Sequence, residues 1–150
     1  MGKRRDGREA ALQYLFFRDL NGGPLAAGGD AFWNLRPATR AVRDFAQPLI
    51  DGVILHQSAI DDRIGAATEN YQLHRISAVD RNILRLALYE MFHRDDIPPV
   101  VSINEAIEIA KKFGTDESGR FVNGILDRVK LELTRPLRSA SPPAGGGPAA

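Results

Sequence analysis

The chain has 150 residues, 43% hydrophobic and 26% charged, which suits one soluble domain able to bury a core. It has no cysteine, which excludes disulfides, thiolate nucleophiles and sulfur-ligated metal sites and fits a reducing compartment. A net charge of +1 predicts no general attraction to nucleic acid, so any attraction must come from local clustering.

Such a cluster opens the chain: Lys3, Arg4, Arg5 and Arg8 stand in "MGKRRDGREAALQYLFF". It reads either as a solvated fringe or as a basic arm held against a folded body. The apolar run that follows is cut by Gln13, Arg18 and Asp19 and has no small-residue cleavage site, so a signal peptide is not expected. No window approaches the length of an uninterrupted apolar span, and the expected location is the cytoplasm, with no membrane contact.

Residues 8–20 place Ala11, Leu12, Leu15, Phe16 and Leu20 at helical spacing, and "NGG" at 21–23 ends the segment. Phe32, Trp33 and Leu35 mark a short helix in a Gly/Pro-rich connection. A long stripe from Val42 to about Thr68 is interrupted by Pro48, which predicts a kink or a helix start there. "SAVD" at 77–80 and "SINE" at 102–105 both match the capping box, each opening a helix. The first helix is apolar on most sides and belongs in the centre; the second is stopped by Gly114. A last helix runs from about Ser118 to Leu133.

No segment alternates with a period of two, so the predicted fold is all-α. Residues 1–133 form one helical domain in this reading. Residues 134–150, rich in Pro, Ala, Gly and Ser, are expected to be a disordered tail.

Nothing in the sequence points to catalysis. His56, His74 and His93 are isolated, and the pairs Asp61–Asp62, Asp95–Asp96 and Asp116–Glu117 point apart on a helix or sit in loops. Glu105 and Glu108 share a helical face but lack the histidine that a di-metal bundle site requires. No phosphate loop, dinucleotide fingerprint or hydrolase elbow is present. The protein is therefore read as a binding protein, with no metal site expected.

Three segments carry a resemblance: "KRRDGREAALQYLF" at 3–16, "RISAVDRNILRLALYEM" with "IPPVVSINEAIEIAKKFG" across 75–114, and "ESGRFVNGILD" at 117–127. Together they resemble the NusB family of transcription antitermination factors over about residues 3–133. The resemblance implies a compact all-helical fold of two small subdomains that needs no cofactor. It implies binding to the boxA element of nascent ribosomal RNA, as single strand, with the ribosomal protein NusE, in the RNA polymerase antitermination complex. It also implies that Lys3, Arg4, Arg5, Arg8, Glu117, Ser118, Arg120 and Phe121 meet RNA, and that Asp80, Arg81 and Glu90 face the partner protein.

The family contains both monomers and homodimers, and the sequence is compatible with either. Asp6 interrupts the basic arm, and Tyr71 stands where the family carries an aromatic residue. Phe121, Asn123 and Glu117 also have purely structural readings, as core, close packing and dipole complement. Two other functions stay open: a plain helical interaction module, and an RNA-binding accessory to an RNA-modifying enzyme.

Overall fold

A computed structural model describes residues 2–24, 29–68 and 72–140; Tyr71 and positions 141–150 of the expected tail lie outside the described residues. Among the described residues six α-helices carry the fold: α1 (Lys3–Leu20), α2 (Asp30–Leu35), α3 (Arg40–Ala67), α4 (Ala78–His93), α5 (Pro99–Phe113) and α6 (Ser118–Val129). Short 3₁₀ turns at Leu73–Arg75 and Lys130–Glu132 precede α4 and follow α6. The all-α expectation holds, and no described helix is long and apolar enough to cross a membrane.

The core follows from the apolar stripes. Ala10, Ala11 and Leu15 of α1 meet Ala46, Leu49, Ile50 and Val53 of α3, and both pack on Ile83, Leu84, Leu88 and Met91 of α4, all of them buried. α5 and α6 close the other side with Ala106, Ala110, Val122, Leu126 and Val129. Two glycines set how closely helices approach. A Cβ on Gly7 would lie 2.6 Å from the Phe45 ring, and one on Gly52 would fall inside the Tyr89 ring. Each therefore brings α3 against a neighbouring helix at a distance no larger residue allows.

Several local expectations are corrected. Pro48 does not start α3, which runs through it for 28 residues, about 42 Å at the usual helical rise. The proline sits on the exposed face, where water can reach the backbone carbonyl that its ring leaves without a donor. Ser77 does cap α4, its Oγ accepting from the Asp80 N–H at 3.1 Å. Ser102 does not cap α5, because the helix begins at Pro99, and proline at a first helical position is favourable without a cap. The buried Ser102 hydroxyl instead donates to Glu90 at 2.6 Å.

The start of the expected tail also differs. The Arg135 guanidinium donates to the carbonyls of Glu90, Met91, Arg94, Asp95 and Ile97; the Glu90 and Arg94 carbonyls also accept from the N–H groups of Arg94 and Ile97, whereas the Met91 carbonyl is one that the end of α4 leaves open. Val100 N–H donates to the Leu137 carbonyl at 2.9 Å. Composition could not show this, because a single arginine does the anchoring.

Candidate nucleic-acid interface

The opening cations do not form an arm. They are the first two turns of α1, so their side chains leave the helix in different directions. Lys3 and Arg4 are exposed and make no ion pair among the described residues; the Arg4 guanidinium lies 5.4 Å from the Phe45 ring centroid. Arg5 is half-buried and grips Glu105 of α5 in a side-on fork, Nε to Oε1 at 2.5 Å and Nη2 to Oε2 at 2.6 Å. That contact holds the Glu105 carboxyl below its usual range despite some burial, and raises Arg5.

Arg8 is corrected outright as a surface contact. It is 4% exposed and donates from Nε and Nη2 to the two carboxylate oxygens of Glu90 at 2.8 and 2.9 Å. Glu90, expected on the partner face, is 1% exposed and so cannot reach a partner. The helical periodicity places position 90 among core residues, and its charge is tolerated only because Arg8 and Ser102 meet it there.

The other end of the expected site is the start of α6. Thr115 and Ser118 build its turn: Ser118 Oγ accepts from Thr115 N–H at 2.9 Å, and Thr115 Oγ1 accepts from Glu117 N–H at 3.3 Å. Ser118 is thus buried and committed to the backbone, which removes it as an RNA contact. Glu117 and Arg120 are well exposed and only loosely paired, at 3.8 Å. Phe121 packs partly on the core and also lines an open groove of about 200 Å³ with Arg75, Ile76, Ser77, Asp80 and Glu117. Asp80 Oδ1 is shielded there without a hydrogen-bond partner among the described residues. Arg81 is half-buried and tied to the Ile76 carbonyl at 2.9 Å and to Asp19 at 3.2 Å.

α5 links the two ends, pairing with α1 and packing on α6. Glu105 meets Arg5 at the middle of α5, and Lys112 meets Glu9 at 2.9 Å near its C-terminal end. Seven residues of helix separate these contacts by about 10 Å. Lys111 and Lys112, both largely exposed, fill the interval towards Gly119 and Arg120. Sequence reasoning missed these two lysines. Their only signal, adjacent cations before a stop glycine, is equally that of a helix end complementing its dipole.

By charge alone, exposed cations of this kind offer a polyanion weak attraction without sequence preference. Lys3 and Arg4 are exposed without an ion pair among the described residues, Lys111 and Arg120 are exposed beside Glu108 at 3.2 Å and Glu117 at 3.8 Å, and Arg5, Arg8 and Lys112 each face a carboxylate. Among the described residues no cluster of three metal-ligating side chains occurs.

Comparison with known proteins supplies the context for this face. The profile of the NusB family matches residues 5–130. A transcription antitermination protein NusB from Geobacter sulfurreducens is 48% identical over 134 residues, which is 89% of this chain and 97% of that protein. T. maritima NusB superposes with a TM-score of 0.77 at 42% identity, covering 88% of this chain and 93% of that one. A chain in a structure of antitermination factors NusB and NusE with double-stranded RNA superposes with a TM-score of 0.76 at 24% identity, covering 86% of this chain and 96% of that one, a likeness of fold.

Proposed function

The chain belongs to the NusB family of transcription antitermination proteins, and from that premise we propose that it binds the boxA element of nascent ribosomal RNA together with NusE, as part of the RNA polymerase antitermination complex. The role is binding rather than catalysis. The observation that supports it most is the placement of exposed cations. Lys3 and Arg4 at the start of α1, and Lys111 and Arg120 beyond them, lie along one scaffold of α1, α5 and the α6 turn.

In this reading Lys3, Arg4 and Arg120 neutralise phosphate, and Phe121 offers a ring edge beside the groove that Asp80 and Glu117 line. Asp80 and Arg81 remain the partner-facing candidates at the start of α4. Two unpaired cations in the first turn would give a single-strand salt slope of about −1.4, rather than the −3 or so that four would give. Binding by this chain alone is therefore weak, and NusE supplies additional surface.

Fluorescence anisotropy with a boxA RNA and a scrambled RNA, with and without NusE, tests the proposal. Preference for boxA that rises with NusE supports it. Equal, weak binding to both RNAs with no effect of NusE contradicts it and favours a helical interaction module.

A further inference from the structure

The Arg5–Glu105 pair separates Arg5 from its neighbours in a way that bears on RNA binding. Three consecutive positions, Lys3, Arg4 and Arg5, carry positive charge. The first two are exposed, whereas the third is half-buried and answered by a carboxylate from a helix about 100 positions away. Arg8 adds to the same carboxylate, its Nη1 standing 3.6 Å from Glu105 Oε1. Glu105 therefore binds one cation and borders a second.

We infer that Glu105 is a competing carboxylate, which occupies Arg5 in the free protein and which the RNA backbone must out-compete to gain that cation. The inference rests on the RNA-binding reading proposed above and concerns phosphate contact, not base recognition. The fork consumes the Nε and Nη2 edge of the guanidinium. Its remaining N–H groups could still meet a phosphate, but that phosphate would stand roughly 7 Å from the Glu105 carboxylate. At a surface where both side chains keep about a fifth to a quarter of their exposure, repulsion at that range is only partly screened.

The pair is electrically neutral as seen from a distance, so Arg5 adds nothing to long-range attraction. The ordinary alternative is a tether: Glu105 joins α5 to α1 and has no bearing on RNA. A second alternative is alignment, in which the fork holds Arg5 ready for phosphate. The three differ in sign. A competitor, once removed, leaves tighter RNA binding; a tether leaves it unchanged; an aligner leaves it weaker.

The test compares the full-length wild type, Glu105→Gln and the double variant Arg5→Gln/Glu105→Gln. Anisotropy titrations use boxA and scrambled single-stranded RNAs over a salt series, with thermal melting to confirm folding. Glutamine keeps an acceptor for Arg5, and the double variant removes a neutral pair without changing net charge. The expected result is a roughly three- to tenfold gain in affinity for Glu105→Gln on both RNAs at low salt. Its salt slope should steepen by about 0.7, and the double variant should return to wild-type affinity and slope. Unchanged or weaker binding by folded Glu105→Gln, or a double variant weaker than wild type, would overturn the inference. A boxA-to-scrambled ratio of one in all three proteins would count against the boxA reading alone, because the gain is read on both RNAs.

Discussion

Arg8 of α1 and Glu90 of α4 form a doubly hydrogen-bonded ion pair inside the protein, with both side chains no more than 5% exposed. A cation from the basic opening stretch is therefore a component of the core. Removing one partner leaves the other buried and uncompensated. Arg8→Ala is expected to cost about 3–5 kcal/mol of stability, measured by urea unfolding. Arg8→Met with Glu90→Leu should recover most of that loss, since a neutral pair of similar volume needs no desolvation.

Arg4→Ala is expected to behave differently. Arg4 is exposed, lies over the Phe45 ring and only adds its charge near Asp96, so stability should shift by less than about 1 kcal/mol. RNA affinity should fall for boxA and scrambled RNA alike, with the salt slope flattening by about 0.7. Melting curves and anisotropy over a salt series check both halves.

Glu117 is exposed at the start of α6 and holds Arg120 only at 3.8 Å. If RNA passes this point, the carboxylate repels it. Glu117→Asn should then tighten RNA binding; a direct titration giving equal or weaker affinity would contradict that placement.

The clasp at the end of α4 gives a stability prediction. The Arg135 side chain is largely buried, and its donors meet several carbonyls at and beyond the end of α4, Met91 and Ile97 among them. Arg135→Ala should lower stability by about 2 kcal/mol, and Arg135→Lys should recover only part, because an ammonium lacks the planar fork. Thermal melting of the two variants distinguishes them.

Acid should destabilise the fold in two stages. Partial desolvation, with His56 and Arg63 nearby, pushes His93 below its ordinary 6.5 although the residue is exposed and Asp95 pulls the other way, so this stage is the small one. The folded state thus favours neutral His93, whose ring stacks on His56 at 3.9 Å and on Tyr89 at 5.5 Å. That contribution is complete above pH 6.5 and is lost as pH falls through the lower folded value. The second stage belongs to carboxylates. Burial opposes ionisation of Asp19, but hydrogen bonds from Asn82 and Arg81, with Arg85 close by, outweigh it and hold it low. Arg94 does the same for Asp96, and Arg5 for Glu105. These stabilise the fold above their unfolded values, and the effect disappears as pH drops below about 4. Urea midpoints from pH 7.5 to 3 should show both steps, and His93→Asn should remove the first.

The helices were legible in the sequence because their apolar spacing is strong and their ends carry ordinary signals, as at Ser77 and Gly114. The interface was legible only in outline. Residues 3, 4, 117 and 120 are exposed as expected, but the sequence could not show that Arg5, Arg8 and Lys112 each meet a carboxylate. Those partners lie between 82 and 103 positions away along the chain, and no local pattern encodes such a pairing. Ser102 misled for the same reason. Its match to a capping box is real, but a proline start three residues earlier and a buried glutamate gave the hydroxyl another role.

The central claim is that RNA meets the face formed by the start of α1, the α5 lysines and the start of α6. Amide chemical-shift mapping of the labelled protein with NusE, before and after adding boxA RNA, tests it most directly. The account predicts that the RNA-dependent shifts concentrate at residues 3–5, 111–112 and 117–121, while the buried Arg8, Glu90 and Ser102 respond little. Shifts centred instead on the far side, around the exposed Leu55 of α3 and Leu131 after α6, would contradict it.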